Sequence, residues 1–148
     1  MENTLNYILL VDDDDATMFL HEIMAREAGV ADMIYKATSG KKALDILTEN
    51  QPLTKINWLI FMDINMPAFS GWETLDEIQQ FDQSLQNRLH IYMTSASDNY
   101  RDIEMMKKYP VVKDFVSKPI KKELVRELFV KMLSGESGMG ASEFKSKK

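Results

Sequence analysis

WLIFMDINMP, residues 58–67, drives an apolar run, Leu59 to Met62, directly into one carboxylate, Asp63, and closes on Pro67. A short apolar run of this kind reads as a buried strand. Proline has no N–H with which to continue a ladder, and it pushes Met66 before it toward extended or turn backbone. Asp63 therefore stands where a core strand leaves its sheet. In open parallel α/β sheets that carboxyl-terminal edge is where ligands bind, which makes Asp63 the first candidate for a reactive residue.

Outward from this stretch the chain alternates between short apolar runs and helical patterns. Ile8–Val11 is a first strand, stopped by Asp12-Asp13-Asp14-Asp15, and aspartates there suit the free N–H groups and positive end of a helix. That helix carries Phe19, Leu20, Ile23 and Met24 as its apolar stripe and stops at Gly29. Met33–Ala37 is a second strand. Ser39-Gly40 opens a helix with Ala43, Leu44 and Leu47, which ends near residues 49–51 before Pro52, and a loop over 53–57 leads into the third strand, Trp58–Asp63.

Beyond Pro67 comes a loop to Gly71. Ser70 followed by Glu73 has capping-box spacing, and Leu75 and Ile78 give the third helix its core face. The polar stretch 79–87 should contain its end. Leu89–Met93 is a fourth strand, ending in the hydroxyl-rich Thr94-Ser95-Ala96-Ser97, and Ser97 or Asp98 can cap a fourth helix that runs to Lys108 with Ile103 and Met106 inward. Val111–Val116 is a fifth strand, followed by Ser117-Lys118-Pro119. The last helix runs from Lys122 to Leu133 with Leu124, Leu128 and Met132 four apart. Strands alternating with helices predict an α/β fold, a three-layer (βα)5 doubly wound parallel sheet with helices on both faces and right-handed crossovers. Residues 1–133 read as one domain. Residues 134–148, rich in Gly, Ser and Lys and without periodicity, read as a disordered tail with the look of a cloning remnant.

Composition narrows the function classes. The chain has 148 residues, a formal net charge of -5 and no cysteine. One full core fits that length. The acidic balance gives no footprint for nucleic acid, and the lack of thiols excludes disulfides, a cysteine nucleophile and thiolate metal sites. The N-terminus is not a signal peptide and no stretch reaches the roughly 20 apolar residues of a membrane span, so a cytoplasmic protein without membrane partners is expected.

In a parallel sheet the ends of the strands share one edge. Here they carry Asp12 and Asp13, Asp63, Thr94 and Lys118. Three carboxylates together repel unless a cation joins them, and Mg²⁺, a hard cation, takes oxygen ligands. A lysine opposite them would hold an incoming anion, and a threonine hydroxyl would add one hydrogen bond. This set suits phosphoryl transfer to a carboxylate, with Asp63 as the nucleophile that forms an aspartyl phosphate. Each residue also has a plainer reading: the aspartate run as helix cap and solvated strand end, Thr94 as a loop residue, Lys118 as background.

These pieces, LLVDDD (9–14), MDINMP (62–67) with Gly71, MTS (93–95) and FVSKP (115–119), together resemble the receiver domain of two-component response regulators in the single-domain, chemotaxis-regulator style, over about residues 6–133. The resemblance implies flavodoxin-like topology with strand order 2-1-3-4-5. It implies Asp63 as phosphoacceptor, and Asp12 and Asp13 as the acidic pair for Mg²⁺ (Mn²⁺ as substitute), joined by Asp63 and the backbone carbonyl of Asn65. Thr94 is implied as the switch hydroxyl, Lys118 as the charge on the phosphoryl group with a cis bond to Pro119, and Phe115 as the switch aromatic where many members have tyrosine. The donor would be a sensor histidine kinase or histidine phosphotransfer protein. Phe69 and Trp72 would be candidate contacts for it, and Tyr100 would belong to an output surface. Output would pass to a separate protein target, with the chain a monomer or a weak phosphorylation-dependent dimer. A phosphate sink, a relay intermediate and a receiver-like binding module that is never phosphorylated are the alternatives.

Two features argue against rival readings, and Lys121 joins Phe115 as a departure from the family pattern. Asn65 lies where aspartyl phosphatases often carry a general acid, a role its amide cannot fill, which argues against turnover of external phosphate esters. Asp12–Asp15 would repel a flavin phosphate, which argues against a flavodoxin-type cofactor. Lys121, at the start of the last helix, lacks the oxygen of a good cap.

Overall fold

The computed structural model describes residues 4–50, 55–95 and 100–135, with the side chain of Tyr100 excluded. The elements run β1 (Leu5–Val11), α1 (Asp15–Ala28), β2 (Met33–Ala37), α2 (Gly40–Asn50), β3 (Ile56–Asp63), α3 (Gly71–Ile78), α4 (Gln83–Gln86), β4 (Leu89–Ser95), α5 (Tyr100–Met106), β5 (Val112–Ser117) and α6 (Lys122–Ser134). The strands form one sheet in the order β2-β1-β3-β4-β5, every neighbouring pair parallel. This is the doubly wound, flavodoxin-like arrangement expected, with β3 at its centre. The caps expected at Ser97 or Asp98, the turn at Pro52 and residues 136–148 of the expected tail lie outside the described residues, while the first residue of that tail, Ser134, belongs to α6 and Gly135 ends the helix.

β3 is central because its side chains suit burial on both faces. Trp58 to Asp63 are all buried, and they divide by the period of a strand. Trp58, Ile60 and Met62 join a core cluster with Leu47, Leu75 and Ile78 of α2 and α3. Leu59 and Phe61 join a second cluster with Met18 and Ala25 of α1 and Val125 and Leu128 of α6. At about 25 cal/mol per Å² of apolar surface, these two layers are the main force holding the fold. Among the described residues no helix is long and apolar enough to cross a membrane.

Several expectations shift. Between α3 and β4 the chain makes a short extra helix, α4, seated by the buried Leu85, so the described residues hold six helices where five were read. The third strand begins at Ile56 rather than Trp58, and α5 ends at Met106, short of Lys108. On α1 the buried face is Met18, His21, Ala25 and Ala28. Phe19 and Leu20, read as core, are 68% and 39% exposed. The rotation follows from close packing of α1 against α6 and the sheet: two alanines admit the neighbours, and a histidine sits among them. On α6 the stripe is Val125, Leu128 and Met132, with Leu124 only half-buried. Gly29 does stop α1, in the left-handed conformation (φ 67°) that lets its N–H reach Arg26 O.

Candidate functional site

Parallel pairing carries the chemistry to one edge. Asp12 follows the last residue of β1, Asp63 ends β3, Thr94 is its register partner on β4, and Lys118 follows the last residue of β5. Asp12 and Asp63 are buried, Asp13 is exposed, and a carboxylate oxygen from each of the three lies within 4.8 Å of the others. Lys118 Nζ sits 2.8 Å from Asp12 Oδ2 and 3.1 Å from Asp63 Oδ1. The remaining contacts come from backbone: Asp14 N–H donates to Asp12 Oδ1 at 2.9 Å and Asn65 N–H to Asp63 Oδ1 at 3.3 Å.

The electrostatics leave the site short of positive charge. Burial, followed by the Asp12 charge, pushes the Asp63 carboxyl above the usual carboxylate range, while the Lys118 ammonium and the Asn65 N–H pull it back. At Lys118 burial opposes the charge, but hydrogen bonds and attraction from Asp12 and Asp63 outweigh it and raise the ammonium's pKa. One lysine thus serves two buried carboxylates. Asp12 Oδ2 has that ammonium at 2.8 Å and no other partner among the described residues. A buried carboxylate oxygen with spare lone pairs, inside an all-oxygen acidic trio, fits a hard divalent cation.

Local structure explains how Asp63 is held. Ile64 N–H bonds Thr94 O at 3.2 Å, and Gly71 N–H bonds Ile64 O at 3.0 Å, folding the loop back under the strand end. Ala68 takes a left-handed conformation (φ 70°), uncommon for a residue with a Cβ. The capping box forms as read: Ser70 Oγ accepts Glu73 N–H at 3.2 Å and Glu73 Oε1 accepts Ser70 N–H at 2.8 Å. Gly71 has no space for a side chain, since a Cβ there would lie 2.6 Å from Asp63 O and 2.9 Å from Met93 Cε.

On the other side of the site, Lys118 N–H bonds Ser95 O at 2.9 Å and the Lys118–Pro119 bond is cis. α6 starts at Lys121 without a side-chain cap, as its sequence suggested. Instead the Ile120 N–H donates to His21 Nε2 on α1 at 3.1 Å. The sequence reading missed His21. Its one signal was a polar residue in phase with Met18 and Ala25, which becomes visible only once the true face of α1 is known.

The other named residues fall as follows. Thr94 and Phe115 are buried at 1% and 6% exposure, and Phe115 pairs in register with Met93, next to Thr94. Asn65 is exposed. Asp14 caps α1, its carboxylate accepting Thr17 N–H at 2.8 Å, which gives the aspartate run a structural role beside the chemical one. Phe69 lies half-buried with the Lys41 ammonium 5.8 Å from its ring centre. Trp72 is half-buried and stacks on Tyr109, whose hydroxyl donates to Asp76 at 2.8 Å, so part of Trp72 is committed to packing.

The chain matches the family model for the response regulator receiver domain over residues 8–130. It is 26% identical over 137 residues to a chemotaxis protein CheY homolog of Campylobacter jejuni, covering 91% of this chain and 98% of that protein. It is 26% identical over 124 residues, 84% of this chain, to a Bacillus subtilis protein named "Probable C4-dicarboxylate response regulator DctR", and spans only 50% of that protein. Among solved structures, a two component response regulator from Cytophaga hutchinsonii superposes with a TM-score of 0.79 at 31% identity, over 89% of this chain and 99% of that one. A CheY-like receiver domain protein from Methanospirillum hungatei gives a TM-score of 0.65 at 26% identity, over 87% and 95%.

Proposed function

Because the chain belongs to the response regulator receiver domain family, we propose that it accepts a phosphoryl group on Asp63 from a phosphohistidine of a sensor kinase or phosphotransfer protein. The observation that carries this reading is the Lys118 ammonium bridging Asp12 and Asp63 at 2.8 and 3.1 Å beside the exposed carboxylate of Asp13. A carboxylate oxygen of Asp63 attacks phosphorus, the bond from phosphorus to the imidazole nitrogen breaks with its electron pair going to nitrogen, and the donor ring, protonated at its other nitrogen, leaves as neutral histidine. Asp12, Asp13, Asp63 and the Asn65 carbonyl would hold Mg²⁺, which supplies charge neutralisation on the phosphoryl oxygens. Lys118 leaves its ion pair with Asp63 to meet those oxygens from the opposite side. The Thr94 hydroxyl, one strand over from Asp63 and in register with it, donates to the new group. Phe115, inward and packed with Met93, follows that movement and alters the surface of α5, β5 and α6, which a separate target protein reads. The chain is a phosphoacceptor rather than a turnover enzyme, consistent with an amide at Asn65.

The test is incubation of the full chain with acetyl phosphate and Mg²⁺, followed by intact mass. A gain of one phosphoryl group is expected, abolished by Asp63→Asn and by chelation of the metal. A folded native protein that stays unmodified under these conditions would falsify the assignment.

A further inference from the structure

His21 lies on the inward face of α1 between Met18 and Ala25 and is 3% exposed. The other residues of that face are apolar, and nothing about packing the helix calls for an imidazole. What the ring does is accept the Ile120 N–H, 99 residues away in sequence. A ring nitrogen that accepts a hydrogen bond is unprotonated, which places the proton of the neutral ring on Nδ1. Burial pushes the His21 pKa down first; the Asp12 charge works against this and the Lys118 charge adds to it. The ring is therefore neutral, as the acceptor role requires.

The place of this bond in the fold gives it significance. Pro119 has no N–H, so the backbone donors that flank Lys118 in its loop are its own N–H and that of Ile120. The first goes to Ser95 O on β4 at 2.9 Å, the second to His21 on α1. Ile120 is completely buried within the α1–α6 core cluster, so its amide has no water as a substitute partner. The loop is thus pinned from two sides, and Lys118, with a side chain only 17% exposed, reaches from between the pins to Asp12 and Asp63. α1 itself begins just after Asp12 and Asp13, so the same helix seats both the acidic pair and the lysine's loop.

We propose that His21 is a positioning residue for phosphoryl transfer. By accepting the Ile120 N–H it fixes the Lys118 loop, and through that loop the placement of the ammonium against Asp12 and Asp63. The inference rests on the reading of Asp63 as phosphoacceptor. An apolar residue at position 21 would fill the same space but leave a buried N–H unpaired, and the loop would move to satisfy it. Displacements of an ångström at a catalytic group slow reactions by large factors.

The experiment measures initial rates of acetyl phosphate labelling of the full chain. His21→Leu is expected to label about tenfold more slowly, whereas His21→Gln, whose side-chain carbonyl can accept the same N–H, stays within about threefold of the native rate. In a Lys118→Ala background His21→Leu should cost nothing further, since a residue acting through the lysine then has nothing left to place. Nitrogen NMR of the native protein gives a readout independent of any variant's folding: an unprotonated His21 Nε2 with scalar coupling to the Ile120 amide nitrogen. Native-rate labelling by His21→Leu, a tenfold loss that persists without Lys118, or a protonated Nε2 would each overturn the proposal. A native protein that takes no label overturns the phosphoacceptor reading instead, and the NMR signature distinguishes that failure from loss of the anchor.

Discussion

The loop after β3 and the loop after β5 meet at one sheet edge, yet they are tied down by opposite means. The first secures itself with neighbours in sequence: Gly71 N–H to Ile64 O, Phe69 N–H to Pro67 O, and the reciprocal bonds between Ser70 and Glu73. The second has almost nothing local. Its helix begins on an uncapped Lys121, and its ties are Ser95 on β4 and His21 on α1. The difference follows what each loop must do. On the proposed mechanism Asp63 stays beside Asp12 and Asp13, and a loop closed mainly by its own bonds, with one tie from Ile64 N–H to Thr94 O on β4, holds it there. On the same proposal Lys118 exchanges one partner for another, and a loop held by other elements takes its position from theirs.

The comparison breaks first at Gly71. Its missing Cβ lets Asp63 and Met93 close over the start of α3, and the nearest obstacle is backbone oxygen, which cannot swing aside. Gly71→Ala is expected to lower stability by about 2–3 kcal/mol and to slow labelling, since relief must come from the Asp63 backbone. Chemical denaturation at unchanged m-value measures it, and a shift near zero would show that the first loop is less tightly closed than its bonds suggest. Ser70→Ala tests the same loop more gently. It removes the acceptor for Glu73 N–H and should cost about 1 kcal/mol; a change that left the midpoint in place would mean that the capping box is ornamental next to the Gly71 contact.

The two loops also differ in how far sequence discloses them. Ser70 and Glu73, three residues apart, announce their own geometry, and so did the Gly29 stop and the β2 strand, because turn chemistry and short periodicity are local. Asp12, Asp13, Asp63, Thr94 and Lys118 are far apart in the chain, yet they were legible: alternation implies parallel strands, and parallel strands share an edge. The contact of His21 with Ile120 has no such rule behind it. Finding it required the rotation of α1, and bulk alone misjudges that rotation, since Phe19 and Leu20 outweigh the alanines that in fact face inward. α4 escaped for a different reason: a single turn with only Leu85 inward is shorter than helical periodicity can register.

The smallest effect tests the second loop from its weak side. Lys121 already has the extended backbone of a cap (φ -113°, ψ 153°) but offers no acceptor to the free N–H groups of α6, and its charge faces the positive end of the helix. Lys121→Ser supplies the oxygen without asking the backbone to move. It should raise stability by about 0.5–1 kcal/mol, seen as a higher denaturation midpoint. If the loop is held chiefly by His21 and Ser95, the labelling rate should not change, because a local cap then adds only to helix stability. A labelling rate that moved with the cap would mean that the start of α6 shares in placing Lys118, and the contrast between a self-tied and a remotely tied loop would narrow to that extent.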